Sequence, residues 1–291
     1  MGFYGMGEII ILLLVIVLAI VASVGGLALP GCSDSCGDVK VPYPFGTTEE
    51  CSRNPDFLLN CNTTTTHTAL MRGNLKVISI SLQGQLKIQM FVARKCYYQS
   101  GHFKSSVSAK LRTASHTVSS TENKFVAVGC DTYGYLNSFQ DNGKSSTGCL
   151  SRCNRNTPDL ETNKGNCSGI GCCQVDIPRG MNNISIEAYS FNNHTNVWDI
   201  NNCSYAFVVE RGWYKYSYDN LQYLPKEMVP MVFDWAIGDE TCEIAKQNTT
   251  KYACKGPNTK CSNSTNGSGY RCECKEGFKG NPYLPRGCQG L

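Results

Sequence analysis

The sequence predicts a mainly β protein: a disulfide-rich extracellular β domain followed by a small cysteine-stapled module. Three observations predict it. Eighteen cysteines, an even number, all lie beyond residue 31. Apolar alternation with a period of two recurs along the chain, and no stretch carries a convincing 3.6-residue period. Six of the cysteines crowd into residues 242–288, a segment too small to fold on apolar burial alone.

The start of the chain fixes the compartment. Residues 9–22 form an unbroken apolar run of fourteen, below the roughly 20 residues a helix needs to cross a bilayer. Ser23, Gly25, Gly26 and Ala28 follow, small residues of the kind found at a cleavage site. The pattern predicts a secretory signal peptide over 1–28, although the head before it holds Glu8 and neither Lys nor Arg. The competing reading is an uncleaved anchor extending through Leu29. Cleavage leaves about 260 residues, enough for a large domain at 29–227, a linker at 228–241, a small module at 242–288 and a tail at 289–291.

In an oxidising compartment the cysteine count predicts nine bridges and no free thiol. Zinc is the alternative, but the faint ligand pairs Cys149/Cys153 and Cys272/Cys274 do not form matched sets. His67, His102, His116 and His194 are not grouped to complete them. Asn62, Asn166, Asn183, Asn193, Asn202, Asn248, Asn263 and Asn266 each begin an Asn-x-Ser/Thr triplet, which predicts a glycoprotein. Asn166 and Asn202, with cysteine in the middle position, are the poorest acceptors. The formal net charge of +4 rises by one when the leader with Glu8 is lost. Its cations are scattered, with none of the concentrated stripe that nucleic acid requires, so no nucleic-acid partner is expected. A mild positive field suits an extracellular polyanion instead.

Val39, Lys40 and Val41 lead into Pro42 and Pro44, which hold the backbone extended and exclude a central strand. Tyr43 and Phe45 are expected to lie as lids on neighbouring structure. "LKVISISLQGQLKIQMFV" (75–92) alternates on both sides of a Gln-Gly-Gln turn and predicts a hairpin with one buried face. Further strands are predicted at 125–128, 184–191 and 205–209, with 228–237 as an edge or linker. Residues 148–180 carry five cysteines and little apolar content. They are expected to be held by bridges, with the adjacent Cys172 and Cys173 joined to different partners. Connectivity among the twelve cysteines of 32–203 stays open.

The last six cysteines, with 11, 6, 10, 1 and 13 intervening residues, resemble an epidermal-growth-factor-like (EGF-like) module. Tyr270 before Cys272-x-Cys274 and the Gly277-Phe278-Lys279-Gly280 turn carry the likeness. The resemblance implies the pairing 242–261, 254–272 and 274–288, and a clamp or spacer role. Asp239 and Glu240 are displaced from the calcium-binding pattern and Asn263 lies too far from Tyr270, so two or three oxygen ligands would be missing. No metal or cofactor is expected.

No phosphate loop, zinc-protease helix or nucleophile elbow occurs. Asp131, Asp199, Glu187 and Glu210 sit near strand ends and are the only carboxylates considered for glycoside hydrolysis; they read as ordinary surface acids, and no catalytic residue is assigned. Sugar binding asks for aromatic platforms and fixed polar groups, with Arg or Lys to meet acidic sugars. Tyr43, Phe45, Tyr97 and Tyr98 are the aromatic residues considered, with core packing as the alternative for each.

Longer stretches carry a further likeness. Through "CGDVKVPYPFG" (36–46), "FLLNC" (57–61), "VGCDTYGYL" (128–136), "GCCQVDIPRG" (171–180), "CSYAFVVE" (203–210) and "VFDWAIGDETC" (232–242), the chain resembles the extracellular part of plant wall-associated receptor kinases. The likeness covers essentially all of 32–288. It implies a galacturonan-binding-like domain with an EGF-like module, cell-wall pectin or oligogalacturonides as ligand, and membrane-bound receptor kinase relatives as partners. Only residues 289–291 follow Cys288, where the family pattern continues into a second module, a membrane helix and a kinase, so the resemblance assigns no kinase activity here. The expected function is non-catalytic pectin binding by a secreted or wall-bound protein, membrane-held if the leader stays or the chain is part of a full receptor. The alternative is a protein-interaction module that binds a peptide or receptor ectodomain.

Overall fold

The computed structural model describes residues 26–62, 68–71, 74–113, 115–140, 143–158, 160–162 and 165–291. The predicted leader up to residue 25 and His67 lie outside the described residues. The mainly β expectation holds: the described helices are the short turns Asp219–Gln222 and Cys242–Gln247 and the 3-10 turn Pro55–Phe57. All eighteen cysteines pair, giving nine bridges.

Three sheets build the body. The first runs, in spatial order, His116–Val118, Met228–Trp235, Gln85–Phe91, Leu75–Ser81, Thr68–Met71 and Asn60–Asn62. Its centre is the expected hairpin, in which Leu86, Ile88 and Met90 point inward while Gln85, Lys87 and Gln89 do not. The second sheet runs Ser168–Ile170, Cys172–Val175, Asn123–Val128, Cys203–Glu210, Ala93–Tyr97 and Phe103–Val107. Its two central strands are apolar at successive positions, the mark of a strand covered on both faces. One face, through Phe125, Ala206 and Val208, joins a core shared with Leu86, Ile88, Met231, Leu136 and Ile186. The other, through Val126, Val128, Tyr205, Phe207 and Val209, packs on Val197, Ile200, Leu221 and Leu224.

The third sheet runs Gly143–Arg152, Asp131–Gln140, Ile184–Ser190 and Ala109–Leu111. It lies close against the second. A Cβ on Gly134 would sit 2.9 Å from the Ala206 Cβ and 3.0 Å from the Phe125 ring, so only glycine admits this approach.

The bridges follow strand geometry. Successive side chains of a strand point to opposite faces, so neighbouring Cys172 and Cys173 must find different partners. Cys172 pairs with Cys167, and Cys173 reaches Cys149 on the third sheet. Cys96 and Cys203 face one another across adjacent strands. The terminal module carries the pairing its resemblance implied, Cys242–Cys261, Cys254–Cys272 and Cys274–Cys288.

Two expectations need correction. Residues 228–235 of the expected linker 228–241 are instead a strand, because Met228–Trp235 pairs with Gln85–Phe91 on one side and His116–Val118 on the other. Pro230 is tolerated there for a local reason. Val232 directs its backbone N–H and C=O away from Gln85–Phe91, to the Asn123 side chain. Pro230, two residues earlier, has its missing donor on that same outer side.

The terminal module is not held away from the body as a spacer either. Its Tyr270, Cys272 and Tyr283 belong to the same core as Phe45 and Trp235. The backbones of Ile237 and Tyr270 exchange hydrogen bonds of 2.8 and 3.1 Å. Asn281 Nδ2 donates to Leu27 O and Tyr43 O at 2.7 Å each. A module this small leaves aromatic surface uncovered, and the body covers it.

Asn266 pins the same seam. It is 5% exposed, accepts from Gly180 N at 2.9 Å, and donates to Val118 O and Asp234 Oδ2 at 2.9 and 2.7 Å. A glycan on Nδ2 is incompatible with these bonds, whereas Asn248 is exposed. Glycopeptide mass spectrometry of folded secreted protein is expected to find Asn266 bare; a substantial glycosylated fraction at Asn266 would show that the seam does not close.

Candidate carbohydrate-binding face

The outer face of the third sheet is the most distinctive surface of the body. Along Asp131–Gln140 the residues facing away from the second sheet are Tyr133, Tyr135, Asn137 and Phe139. Tyr133 stands directly opposite Tyr189 in register, and their rings stack at 5.3 Å with an interplanar angle of 14°. Phe191 packs on Tyr133 at 4.7 Å, and Tyr135 meets Tyr133 and Tyr189 at 5.8 and 6.3 Å. Gly148 makes room for this cluster, since a Cβ there would lie 2.9 Å from the Tyr135 ring. Tyr135 and Phe191 are 43% and 38% exposed, a large apolar investment on an outer surface.

Cations edge the rings. Lys95 Nζ lies 5.1 Å from the centroid of Tyr189, the Arg152 guanidinium 4.3 Å from that of Phe191, and Lys144 Nζ 5.7 Å from that of Phe139. Each is within cation–π range. Glu187 faces the same side; it accepts from the Tyr189 hydroxyl and, at 3.1 Å, from Ser185 Oγ. The Tyr189 bond holds the Glu187 carboxyl below its usual range and pushes the Tyr189 hydroxyl up to about 12. Asn137 is fixed between Ser185 and Ser146, at 3.2 and 2.7 Å. At one end the face opens into a hollow of about 500 Å³ lined by Lys110, Arg112, Phe139, Gln140 and Glu187, among others. Exposed rings that can stack on sugar C–H groups, with cations nearby, are parts needed to hold an acidic sugar; the Asn137 amide is buried and orders the sheet beneath them.

The residues considered from sequence fall elsewhere, with one exception. Phe45 is core, edge-on to Phe57 and Trp235 at 5.0 and 5.4 Å, and Tyr43 is half-buried beside it. Tyr97 is buried against His194. Tyr98 is exposed, with Lys104 Nζ 5.7 Å from its ring. Of the carboxylates, Asp199 pairs with Arg155 and Glu210 with Lys87, while Glu187 alone joins the aromatic face. The face itself was signalled by aromatics two apart in two segments, Tyr133/Tyr135 and Tyr189/Phe191.

A Ser–His–Asp group occurs but is structural. Ser204 Oγ lies 2.9 Å from His194 Nε2, and both side chains are fully buried. Asp131 accepts from the backbone N–H of Asn192 and His194, at 2.9 and 3.0 Å, not from the imidazole. The arrangement lacks both a base-orienting bond and access for substrate. Among the described residues no group of three or more His, Cys, Asp or Glu is placed to hold a metal, and no helix is long and apolar enough to cross a membrane.

Comparison with known proteins places this architecture. Residues 32–93 match the family described as wall-associated receptor kinase galacturonan-binding. Wall-associated receptor kinase 2 of Arabidopsis thaliana is 41% identical over 89% of this chain and 34% of its own length. The chain resembles the wall-associated receptor kinases over nearly nine-tenths of its own length. Wall-associated receptor kinases 4 and 1 of the same plant are 37% and 33% identical over 92% and 94% of the chain, and 35% and 36% of their own lengths. The chain thus spans about a third of these relatives. No solved structure matches it. The matched family region comprises the first sheet's hairpin and the strands before it, whereas the aromatic face is built from residues 95–191 beyond it.

Proposed function

We propose that this chain is an extracellular, non-catalytic binder of acidic cell-wall polysaccharide, with pectic galacturonan as ligand, and that the aromatic face of the third sheet is a contact surface. One observation supports the reading most: a cluster of four aromatic rings on an outward sheet face, one pair of them stacked, edged by Lys95 and Arg152. The galacturonan-binding description of the family matching residues 32–93 supports the ligand class, and nine bridges suit an oxidising exterior.

The test is affinity chromatography on polygalacturonate and on uncharged dextran. Retention on polygalacturonate alone, falling with salt, is expected. Replacing Tyr135 by alanine, or Lys95 and Arg152 together by alanine, is expected to weaken galacturonide binding about tenfold, roughly 1.4 kcal/mol. Equal retention on dextran, or variants as tight as wild type, would remove the proposal.

A second reading rests on the edge strand Phe103–Val107, whose Phe103 and Val107 are 57% and 43% exposed. An edge with exposed apolar side chains can accept a peptide strand from a receptor ectodomain, including a membrane-bound relative. Recovery of one protein partner, without affinity for galacturonides, would favour it.

A further inference from the structure

Two hollows adjoin where the terminal module meets the body. One, of about 390 Å³, is lined by Ser115, Thr117, Gln140, Arg179, Asp234 and Ser268, among others. The other, of about 200 Å³, takes Gln83, Gln85, Arg179, Asp234, Asn266 and Arg271 into its wall. They share Arg179 and Asp234. Gln140 in turn belongs to both the larger seam hollow and the one beside the aromatic face. The three hollows therefore follow one another through shared wall residues, from the tip of the hairpin at 83–85, across the seam, to Lys110 and Arg112.

The chemistry changes along this track. The seam has no aromatic lining; its walls offer amides, hydroxyls and guanidinium groups. Two carboxylates face the track, and both are engaged: Asp234 accepts from Asn266 at 2.7 Å, and Glu187 from Tyr189 and Ser185. Arg271, Arg179, Arg112 and Lys110 outnumber them. Arg271 crosses from the module to the body, lying so close over Gly84 that a Cβ there would meet its side chain at 2.5 Å. A lining of this kind suits a hydroxyl-rich polyanion held by hydrogen bonds and ion pairs.

We infer that the seam groove continues the aromatic face and takes further uronate units of the same polysaccharide chain, so that the terminal module is part of the binding surface. This rests on the acidic-polysaccharide reading above. It predicts a dependence on ligand length: a short oligomer occupies the aromatic face, and only a long one also reaches Arg179 and Arg271.

The test uses the full secreted chain with a galacturonide trimer and dodecamer, measured by calorimetry. Arg179→Ala with Arg271→Ala is expected to leave trimer affinity unchanged and weaken the dodecamer roughly tenfold, the loss of charge-assisted hydrogen bonds. Arg179→Glu alone, on an exposed side chain, is expected to act in the same direction and guards against misfolding of the double variant. Unchanged dodecamer binding, or equal losses for both lengths, would overturn the seam while leaving the aromatic face in place. Wild-type protein that binds neither oligomer would overturn both.

Discussion

Replacement of Trp235 by alanine is expected to lower the unfolding free energy by about 3–5 kcal/mol, the range for removing a large aromatic from a core. Trp235 is fully buried. Its ring stands edge-on to Phe45 and Phe57 at 5.4 and 5.8 Å and tilts against Tyr283 at 5.6 Å. Its indole N–H donates to Ser81 O at 3.2 Å. One side chain thus joins the N-terminal segment, the first sheet and the terminal module. Denaturant unfolding with the bridges intact measures the loss. Limited proteolysis should show new cleavage between 236 and 241, where the module loses its seat. A stability change under about 0.5 kcal/mol, within the range of ordinary surface substitutions, would mean that the module docks without Trp235.

Acidification should destabilise the protein well before most carboxylates protonate. His194 is fully buried, and burial pushes its pKa from 6.5 down to about 4, against a smaller opposing influence from Asp131. Between these two values the unfolded chain binds a proton that the folded chain refuses. The contribution of His194 is therefore complete above pH 6.5 and declines as pH falls, reaching a loss of about 3 kcal/mol near pH 4. The His194→Gln variant removes this share while other groups titrate as before. The stability gap between wild type and variant should change by about that amount between pH 7 and pH 4. Parallel pH profiles would show that His194 charges without cost.

The parts of the fold that were legible in sequence are those where burial is one-sided or complete. Leu75–Ser81 with Gln85–Phe91 shows alternation, and Cys203–Glu210 shows an apolar run. Of the third sheet, Ile184–Ser190 is legible, whereas Asp131–Gln140 is hidden because its pattern is inverted. Along Asp131–Gln140 the inward residues are Thr132, Gly134, Leu136 and Ser138; only Leu136 is a large apolar side chain, and the close approach to the second sheet leaves no room for one at Gly134. The large apolar rings face out. Hydrophobic periodicity therefore points the wrong way, and Gly143–Arg152 beside it is too polar to announce a strand. Met228–Trp235 reads as an edge or linker because Pro230 and Asp234 interrupt its apolar pattern, yet it is an interior strand and neither residue spoils its pairing with Gln85–Phe91. The candidate aromatics failed for a related reason: composition marks rings, but only the folded neighbours distinguish the buried Phe45 and Tyr97 from Tyr135.

The nine crosslinks divide the chain unevenly under mechanical load. Residues 32–61, 96–203 and nearly all of 242–288 are spanned by bridges and resist lengthening while the sulfurs stay oxidised. The two stretches between these, 62–95 and 204–241, hold Thr68–Met71, Leu75–Ser81, Gln85–Phe91 and Met228–Trp235 of the first sheet and most of Cys203–Glu210 of the second. Each could pay out on the order of 100 Å if pulled straight. Tension across the molecule would therefore be released by unzipping the middle of the first sheet and then stripping Cys203–Glu210 from the second, and the terminal module would lose its berth in the same event.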